Sequence, residues 1–145
     1  MKNDLRKGLI AGNFDVIHPG YVKMFQDAKE NVCDYLIIAL HGDPTIERPH
    51  KCKPVQSIKE REYILMSIKY VDEIVHYNTE KDLLEIVKQH NHDVRIIGSD
   101  YKGVEFTGKS FEKEIYYHER SHDYSLTDLK KRIMEQMLAQ NSWIL

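Results

Sequence analysis

Short apolar segments that alternate with segments of helical spacing constrain this chain more than any other feature of its sequence. The apolar segments predict strands over residues 7–11, 33–43, 71–77, 93–100 and 114–120. The helical patterns cover residues 19–30, 57–70, 79–90 and 125–140, and a long loop separates the last two strands. This alternation favours a parallel sheet with helices on both faces. We therefore predict an α/β fold, a doubly wound parallel sheet of about five strands in a single domain over residues 1–145.

The charge balance of the chain excludes some classes of partner. Its 21 Lys and Arg and 23 Asp and Glu give a formal net charge of -2, so no overall field attracts nucleic acid or an anionic membrane. No stretch approaches the roughly 18 apolar residues of a membrane span, and the N-terminal apolar run is too short for a signal peptide. We expect a cytoplasmic protein without nucleic-acid or membrane partners.

The eight histidines raise the possibility of a zinc site. They are scattered along the chain, and no Cys-x-x-Cys or His-Glu-x-x-His motif accompanies them. Surface or phosphate-facing positions are therefore favoured over zinc ligation.

Polar side chains gather where the predicted strands end. Asn13, Asp15 and His18 follow the first strand, residues 98–101 end the fourth, and residues 118–125 follow the fifth. In an open parallel sheet the ligand lies beyond the carboxyl ends of the strands, at the point where the strand order reverses. We therefore expect these side chains to form one ligand site.

The segment after the first strand, residues 12–21, reads Gly-Asn-Phe-Asp-Val-Ile-His-Pro-Gly-Tyr. It matches neither the phosphate-loop motif nor the dinucleotide-binding motif. It resembles the Gly-x-Phe-Asp-x-x-His-x-Gly-His signature of the nucleotidylyltransferase superfamily. Three later segments, KCKPVQSIKEREYILMSIKYVDEIV, IIGSDYKG and ERSHDYSLTDLK, are similar to motifs of the small cytidylyltransferases typified by glycerol-3-phosphate cytidylyltransferase, in the same order.

The resemblance implies a Rossmann-like fold and transfer of CMP from CTP to a small phosphorylated acceptor, which yields a CDP-linked product and pyrophosphate. The acceptor phosphate attacks in line, so the protein positions two anions and stabilises charge. Glycerol 3-phosphate or L-glutamine phosphate is the expected acceptor, for capsule or surface-polymer synthesis. Mg²⁺ is the implied cofactor, with Asp15 as its ligand, and a homodimer is the implied assembly.

The resemblance also assigns roles to individual residues. His18, Lys53 and Arg120 are expected to be catalytic, and Lys51, Lys53 and Arg61 are expected to bind the acceptor. The expected nucleotide-binding residues are Gly12, Asn13, Phe14, Asp15, His18, Tyr21, Gly98, Asp100, Tyr101, Arg120, Ser121, Ser125 and Thr127. Ser125 and Thr127 begin the last helix, where backbone N–H groups and the helix dipole favour phosphate.

Tyr21 stands where the family signature has its second histidine. A histidinium offers a charge-assisted hydrogen bond, roughly twice as strong as the neutral one that tyrosine offers. Another basic group (His50, His118 or His122) takes this role, or Tyr21 suits a particular acceptor, or the chain binds nucleotide and reacts poorly. The alternatives to CMP transfer are accordingly an adenylyltransferase that uses ATP and a non-catalytic nucleotide-binding module.

The C-terminal end carries Trp143, Ile144 and Leu145 after a polar stretch. A cluster of large apolar side chains at a chain end favours docking over a disordered tail. We expect this end to pack on the body of the protein or on a dimer partner.

Overall fold

A computed structural model describes residues 5–140 of the chain. Its five strands are β1 (Lys7–Gly12), β2 (Tyr35–His41), β3 (Glu73–Tyr77), β4 (Val94–Gly98) and β5 (Ile115–His118). The α-helices within these residues are α1 (Pro19–Asp27), α2 (Ile58–Met66), α3 (Glu80–Gln89) and α4 (Leu126–Gln140). The expected docking of Trp143 falls outside the described residues and stays a prediction.

The strands form one parallel sheet in the order β3-β2-β1-β4-β5, which confirms the predicted doubly wound α/β fold. The order reverses between β1 and β4. The β1–β2 ladder pairs all of Lys7–Gly12, whereas β1 meets β4 only at Gly8 and Leu9. The two central strands therefore separate toward their carboxyl ends, and a crevice opens at the switch point.

Apolar side chains cover both faces of the sheet. Successive residues of a strand point to opposite faces, so Leu9 belongs to one core cluster and Ile10 to the other. The larger cluster includes Phe25 of α1 and Leu65 of α2, and the smaller one includes residues of α3. These two cores make the sheet a rigid base for the loops at its carboxyl edge.

The start of α2 agrees closely with its sequence signal. Ser57 caps α2 by accepting from the backbone N–H of Glu60, and the Glu60 carboxylate accepts from the N–H of Ser57, which confirms the predicted capping box. Two helix ends differ from the prediction. The first helix continues after Asp27 as a π-helical turn to Val32, past the predicted end at residue 30. The second ends at Met66 instead of residue 70, because the chain turns there to bring Val71 into the core.

The capping box gives a stability prediction. Ser57→Ala removes the side-chain acceptor for the N–H of Glu60 and should lower the free energy of unfolding by about 1 kcal/mol. The matched control is Ser67→Ala, because the exposed Ser67 hydroxyl only donates to a carbonyl of its own helix. Urea denaturation of both variants checks the prediction, and equal effects would contradict it.

Candidate active site

The backbone of the signature segment (residues 12–21) is strained where it leaves β1. Phe14 has φ of 47° and Val16 has φ of 48°, in the left-handed region that bulky and β-branched residues rarely adopt. The Phe14 ring is buried and packs edge-on against Tyr21 and Phe25. The N–H of Val16 donates to the Gln56 side chain at 2.9 Å. Such strain persists where surrounding contacts enforce it, and it concentrates at functional sites.

Asp15 ties three elements together from a buried position. Its carboxylate oxygens accept from the backbone N–H groups of Val55 at 2.8 Å and Gln56 at 3.0 Å. Lys130 of α4 lies 3.5 Å from the same carboxylate. Asp15 is 1% exposed, so it anchors the β2–α2 loop (residues 42–57) and α4 to the signature segment.

Arg61 is buried and binds backbone carbonyls. Its guanidinium donates to the carbonyls of Asn13 at 2.9 Å, His41 at 2.7 Å, Gly42 at 2.6 Å and Gln56 at 3.1 Å. These carbonyls belong to the ends of β1 and β2 and to the β2–α2 loop. Burial lowers the pKa of Arg61, although nearby carboxylates oppose this. Most of its donors are therefore engaged within the protein, and its expected role in acceptor binding stays a prediction.

The two loop lysines lie at different cavities. Lys51 lines a cavity of about 660 Å³ with Arg48 and the carboxyl end of β1. Lys53 lines a neighbouring cavity of about 530 Å³ beside Arg61. The expected pair of acceptor-binding lysines is thus divided, and Lys51 is the one that shares a cavity with the signature segment.

His18 begins α1 and lines a third cavity, of about 220 Å³. Its Nδ1 accepts from the backbone N–H of Gly20 at 3.0 Å, so the ring proton lies on Nε2. A Cβ at Gly20 would come within 2.6 Å of the His122 ring and 2.8 Å of the His18 ring, so glycine allows the two imidazoles to approach. The His18 ring stacks on Tyr21 with centroids 4.1 Å apart. The signature histidine and tyrosine therefore form one wall.

The end of β4 supplies the opposite wall. Gly98 and Asp100 line the 220 Å³ cavity, and residues 99–101 form a 3₁₀ turn there. Gly98 and Tyr101 also line the crevice between β1 and β4, where a cavity of about 200 Å³ opens. Tyr101 is half-exposed and meets the ring of Phe106 edge-on. The structure thus brings these expected nucleotide-binding residues to the switch point.

The segment after β5 completes this side of the site. Arg120, His122 and Ser125 line the 220 Å³ cavity, and the Arg120 guanidinium donates to the carbonyl of Tyr124. Ser125 caps α4 by accepting from the N–H of Asp128 at 3.1 Å. Ser121 and Thr127, also expected to bind nucleotide, are exposed.

Burial and neighbouring basic groups lower the pKa of His18. Burial is the largest cause for His18, followed by the neighbouring His122 and Arg120. Burial also lowers the pKa of His122, aided by Arg120 and His118. Burial raises the pKa of Tyr21, so its hydroxyl is neutral at pH 7. The cavity is therefore lined by basic groups that are partly uncharged until an anion arrives.

The sequence did not predict the pairing of His118 with Asp27 in this region. His118 at the end of β5 lies 2.7 Å from the Asp27 carboxylate at the end of α1. The sequence places His118 among the candidate substitutes for the missing signature histidine, but it gives no signal for Asp27, since 91 positions separate the two.

The described side chains form no ready Mg²⁺ site. Mg²⁺ prefers carboxylates and substrate phosphates as ligands. Asp15 is buried and its oxygens already accept from two N–H groups, and residues 5–140 contain no cluster of three potential metal ligands. This geometry does not favour Asp15 as a metal ligand, and that assignment stays a prediction.

Sequence comparison shows the family to which this chain belongs. The cytidylyltransferase-like family profile matches residues 9–133, so the chain belongs to that family, within the nucleotidylyltransferase superfamily. It is 31% identical to the glycerol-3-phosphate cytidylyltransferase of Bacillus subtilis (strain 168), over 89% of this chain and 98% of that protein. The chain is accordingly a nucleotidyltransferase.

Two further similarities are more limited. The chain is 31% identical to the bifunctional protein HldE of Campylobacter concisus (strain 13826) over 86% of its own length, but it spans only 26% of that protein. A lipopolysaccharide core biosynthesis protein from Thermoplasma volcanium GSS1 has a similar structure, with a TM-score of 0.65 at 19% identity, over 83% of this chain and 100% of that one. This likeness supports the fold alone.

The length and polarity of the helices decide whether one of them could cross a membrane. Among residues 5–140, each helix is too short or too polar to cross a bilayer.

Arg61 gives a second prediction. Arg61→Lys keeps the charge but cannot reach four carbonyls, so it should lower the free energy of unfolding by about 3 kcal/mol. Lys59→Met, at an exposed position two residues before Arg61 in α2, is the control and should change stability little. Urea denaturation measures both. Unchanged stability in Arg61→Lys with a raised acceptor KM would instead support direct acceptor binding.

The lowered pKa values give a third prediction. His18 and His122 have pKa values below the ordinary 6.5, so both are mainly neutral at pH 7. A bound triphosphate favours the imidazolium forms, so CTP binding near pH 7 should take up protons, and the uptake should fade as the pH rises above 8. Calorimetry in buffers of different ionisation enthalpy measures it. A binding enthalpy independent of the buffer would contradict the prediction.

Proposed function

We propose that the protein is a cytidylyltransferase that transfers CMP from CTP to a small phosphorylated metabolite and releases pyrophosphate. The observation that carries the proposal is the position of Tyr21. Tyr21 lines both the 220 Å³ cavity with His18 and Arg120 and the 660 Å³ cavity with Lys51. Two cavities with basic side chains meeting at one residue suit a reaction that joins two anions.

The nucleotide is assigned to the side of β4 and α4. Its triphosphate lies in the cavity of His18 and Arg120, near the capped start of α4, where N–H groups and the helix dipole favour phosphate. His18 carries its proton on Nε2, because Nδ1 is held by Gly20, and donates it to a phosphate oxygen. Base choice depends on the turn at residues 98–101.

The acceptor is assigned to the 660 Å³ cavity. Lys51 on its rim attracts the acceptor phosphate, which then attacks the α-phosphorus in line while the bond to pyrophosphate breaks. Arg48 and Arg95 also line this cavity, but each is paired with a carboxylate. Arg48 pairs with Glu80 at 3.4 Å, and Arg95 pairs with Glu112 at 3.0 Å. The chemistry needs no protein nucleophile, so rate enhancement comes from positioning and from charge stabilisation.

Five expectations join this proposal. Mg²⁺ would be held by the phosphates of the nucleotide, since phosphate oxygens are among its preferred ligands. The protein acts in the cytoplasm, as a homodimer, in capsule or surface-polymer synthesis. The acceptor is glycerol 3-phosphate, by likeness to the named relative, or L-glutamine phosphate.

The test is pyrophosphate release with CTP, ATP, GTP and UTP, each with Mg²⁺, against a panel of acceptors. The panel contains glycerol 3-phosphate, phosphocholine, sugar 1-phosphates and L-glutamine phosphate. We expect release with CTP and one acceptor. Release with ATP alone would identify an adenylyltransferase instead. Silence throughout, with CTP still raising the Tm, would favour a nucleotide-binding module or an acceptor outside the panel.

His18→Ala tests the mechanism. Loss of one preorganised donor to the transferring phosphates should lower kcat about 100- to 1,000-fold. The control is His76→Ala, since His76 lies on β3 in a half-exposed pair with Glu62, and it should keep the wild-type rate. Circular dichroism confirms folding of both. A near-wild-type rate in His18→Ala would contradict the mechanism.

A further inference from the structure

Asp27 holds the ring of His118 from behind. The Asp27 carboxylate is 2.7 Å from Nδ1 of His118 and accepts from the Tyr116 hydroxyl at 3.1 and 3.2 Å and from Asn31 at 2.7 Å. Burial opposes ionisation of Asp27, but the hydrogen bonds from His118, Asn31 and Tyr116 outweigh it and keep its pKa below the ordinary value. Asp27 is thus an ionised acceptor, and the shared proton lies on Nδ1.

The other nitrogen of His118 is buried at the wall of the nucleotide cavity. His118 is 9% exposed and lines the 220 Å³ cavity, and its Nε2 has no hydrogen-bond partner among residues 5–140. Leaving a buried polar atom without a partner is unfavourable, so its retention at a cavity wall points to a ligand.

The chemistry of that ligand follows from the rest of the wall. His18, Arg120 and His122 line the same cavity, and Asp100 is the one acidic side chain among its described lining residues. The basic groups repel one another when charged, and an anion relieves the repulsion. A phosphate is therefore the chemistry that this wall suits.

We propose that His118 Nε2 binds a phosphate oxygen of the nucleotide, with Asp27 as the positioning carboxylate. The inference rests on the proposed function and deepens it, because a second imidazole then contacts the phosphate beside that of His18. Tyr21 stays a stacking partner for His18, and the second imidazole comes from β5 instead of α1. The ring of His118, held by its Nδ1 bond, meets the phosphate without reorganising.

The competing explanation is a purely structural tie between β5 and α1. Two variants separate the two explanations, because the amide nitrogen of Asn stands near Nδ1 of a histidine and that of Gln stands near Nε2. His118→Asn keeps a donor for Asp27 and deletes the unpartnered Nε2. His118→Gln keeps a donor to the cavity and loses the bond to Asp27.

The experiment is calorimetric titration of each variant with CTP, inorganic tripolyphosphate and cytidine, together with its Tm. We expect His118→Asn to weaken CTP and tripolyphosphate binding about 10- to 100-fold, with cytidine binding and Tm unchanged. We expect His118→Gln to lower the Tm and to retain affinity for CTP within about fivefold. The control is His90→Asn, which removes a histidine–carboxylate pair away from this cavity and should leave CTP affinity unchanged.

The opposite pattern would overturn the inference. Full affinity in His118→Asn with a loss in His118→Gln would make the pair a structural tie. An equal loss for cytidine would place the contact at the nucleoside, and wild-type protein that binds neither CTP nor tripolyphosphate would also overturn it. A wild-type protein that binds CTP but releases no pyrophosphate would refute the proposed function, while the titrations would still decide the role of His118.

Discussion

The buried guanidinium of Arg61 is the interaction on which the site depends. It donates to carbonyls from the ends of two strands and from the loop between β2 and α2. Asp15 complements it by accepting from N–H groups of the same loop. One cation and one anion thus satisfy the irregular backbone of this loop, Arg61 at carbonyls and Asp15 at N–H groups. A loop that would otherwise carry unpaired polar groups becomes a fixed wall.

Most of the fold could be predicted from the sequence because its signals are local. Alternating apolar and helical periods define the elements, and the Ser57–Glu60 spacing encodes a cap that forms within one turn. The position of the site followed from a general rule of parallel sheets, since polar residues stood at three strand ends. Helix ends were less predictable, because tertiary packing of Val71 outweighed a weak helical pattern.

The contacts within the site could not be predicted, and the reasons differ. The partners of Arg61 are backbone carbonyls, which every residue carries, so no residue type marks them. Asp27 and His118 meet through the fold and not through any sequence spacing. Lys51 and Lys53 stand two positions apart but line different cavities, because the path of an irregular loop decides which side each faces. In each case, the sequence supplied the chemical group and the tertiary structure supplied the partner.

The short ladder between β1 and β4 has a mechanical consequence. Strands β1, β2 and β3 form one well-paired half of the sheet, and β4 and β5 form the other, but only two residues of β1 join them. The seam between β1 and β4 therefore has the shortest ladder in the sheet. A ligand that touches the signature segment on one half and the ends of β4 and β5 on the other would bridge this seam. Its binding would then align the site and stiffen the sheet at the same time.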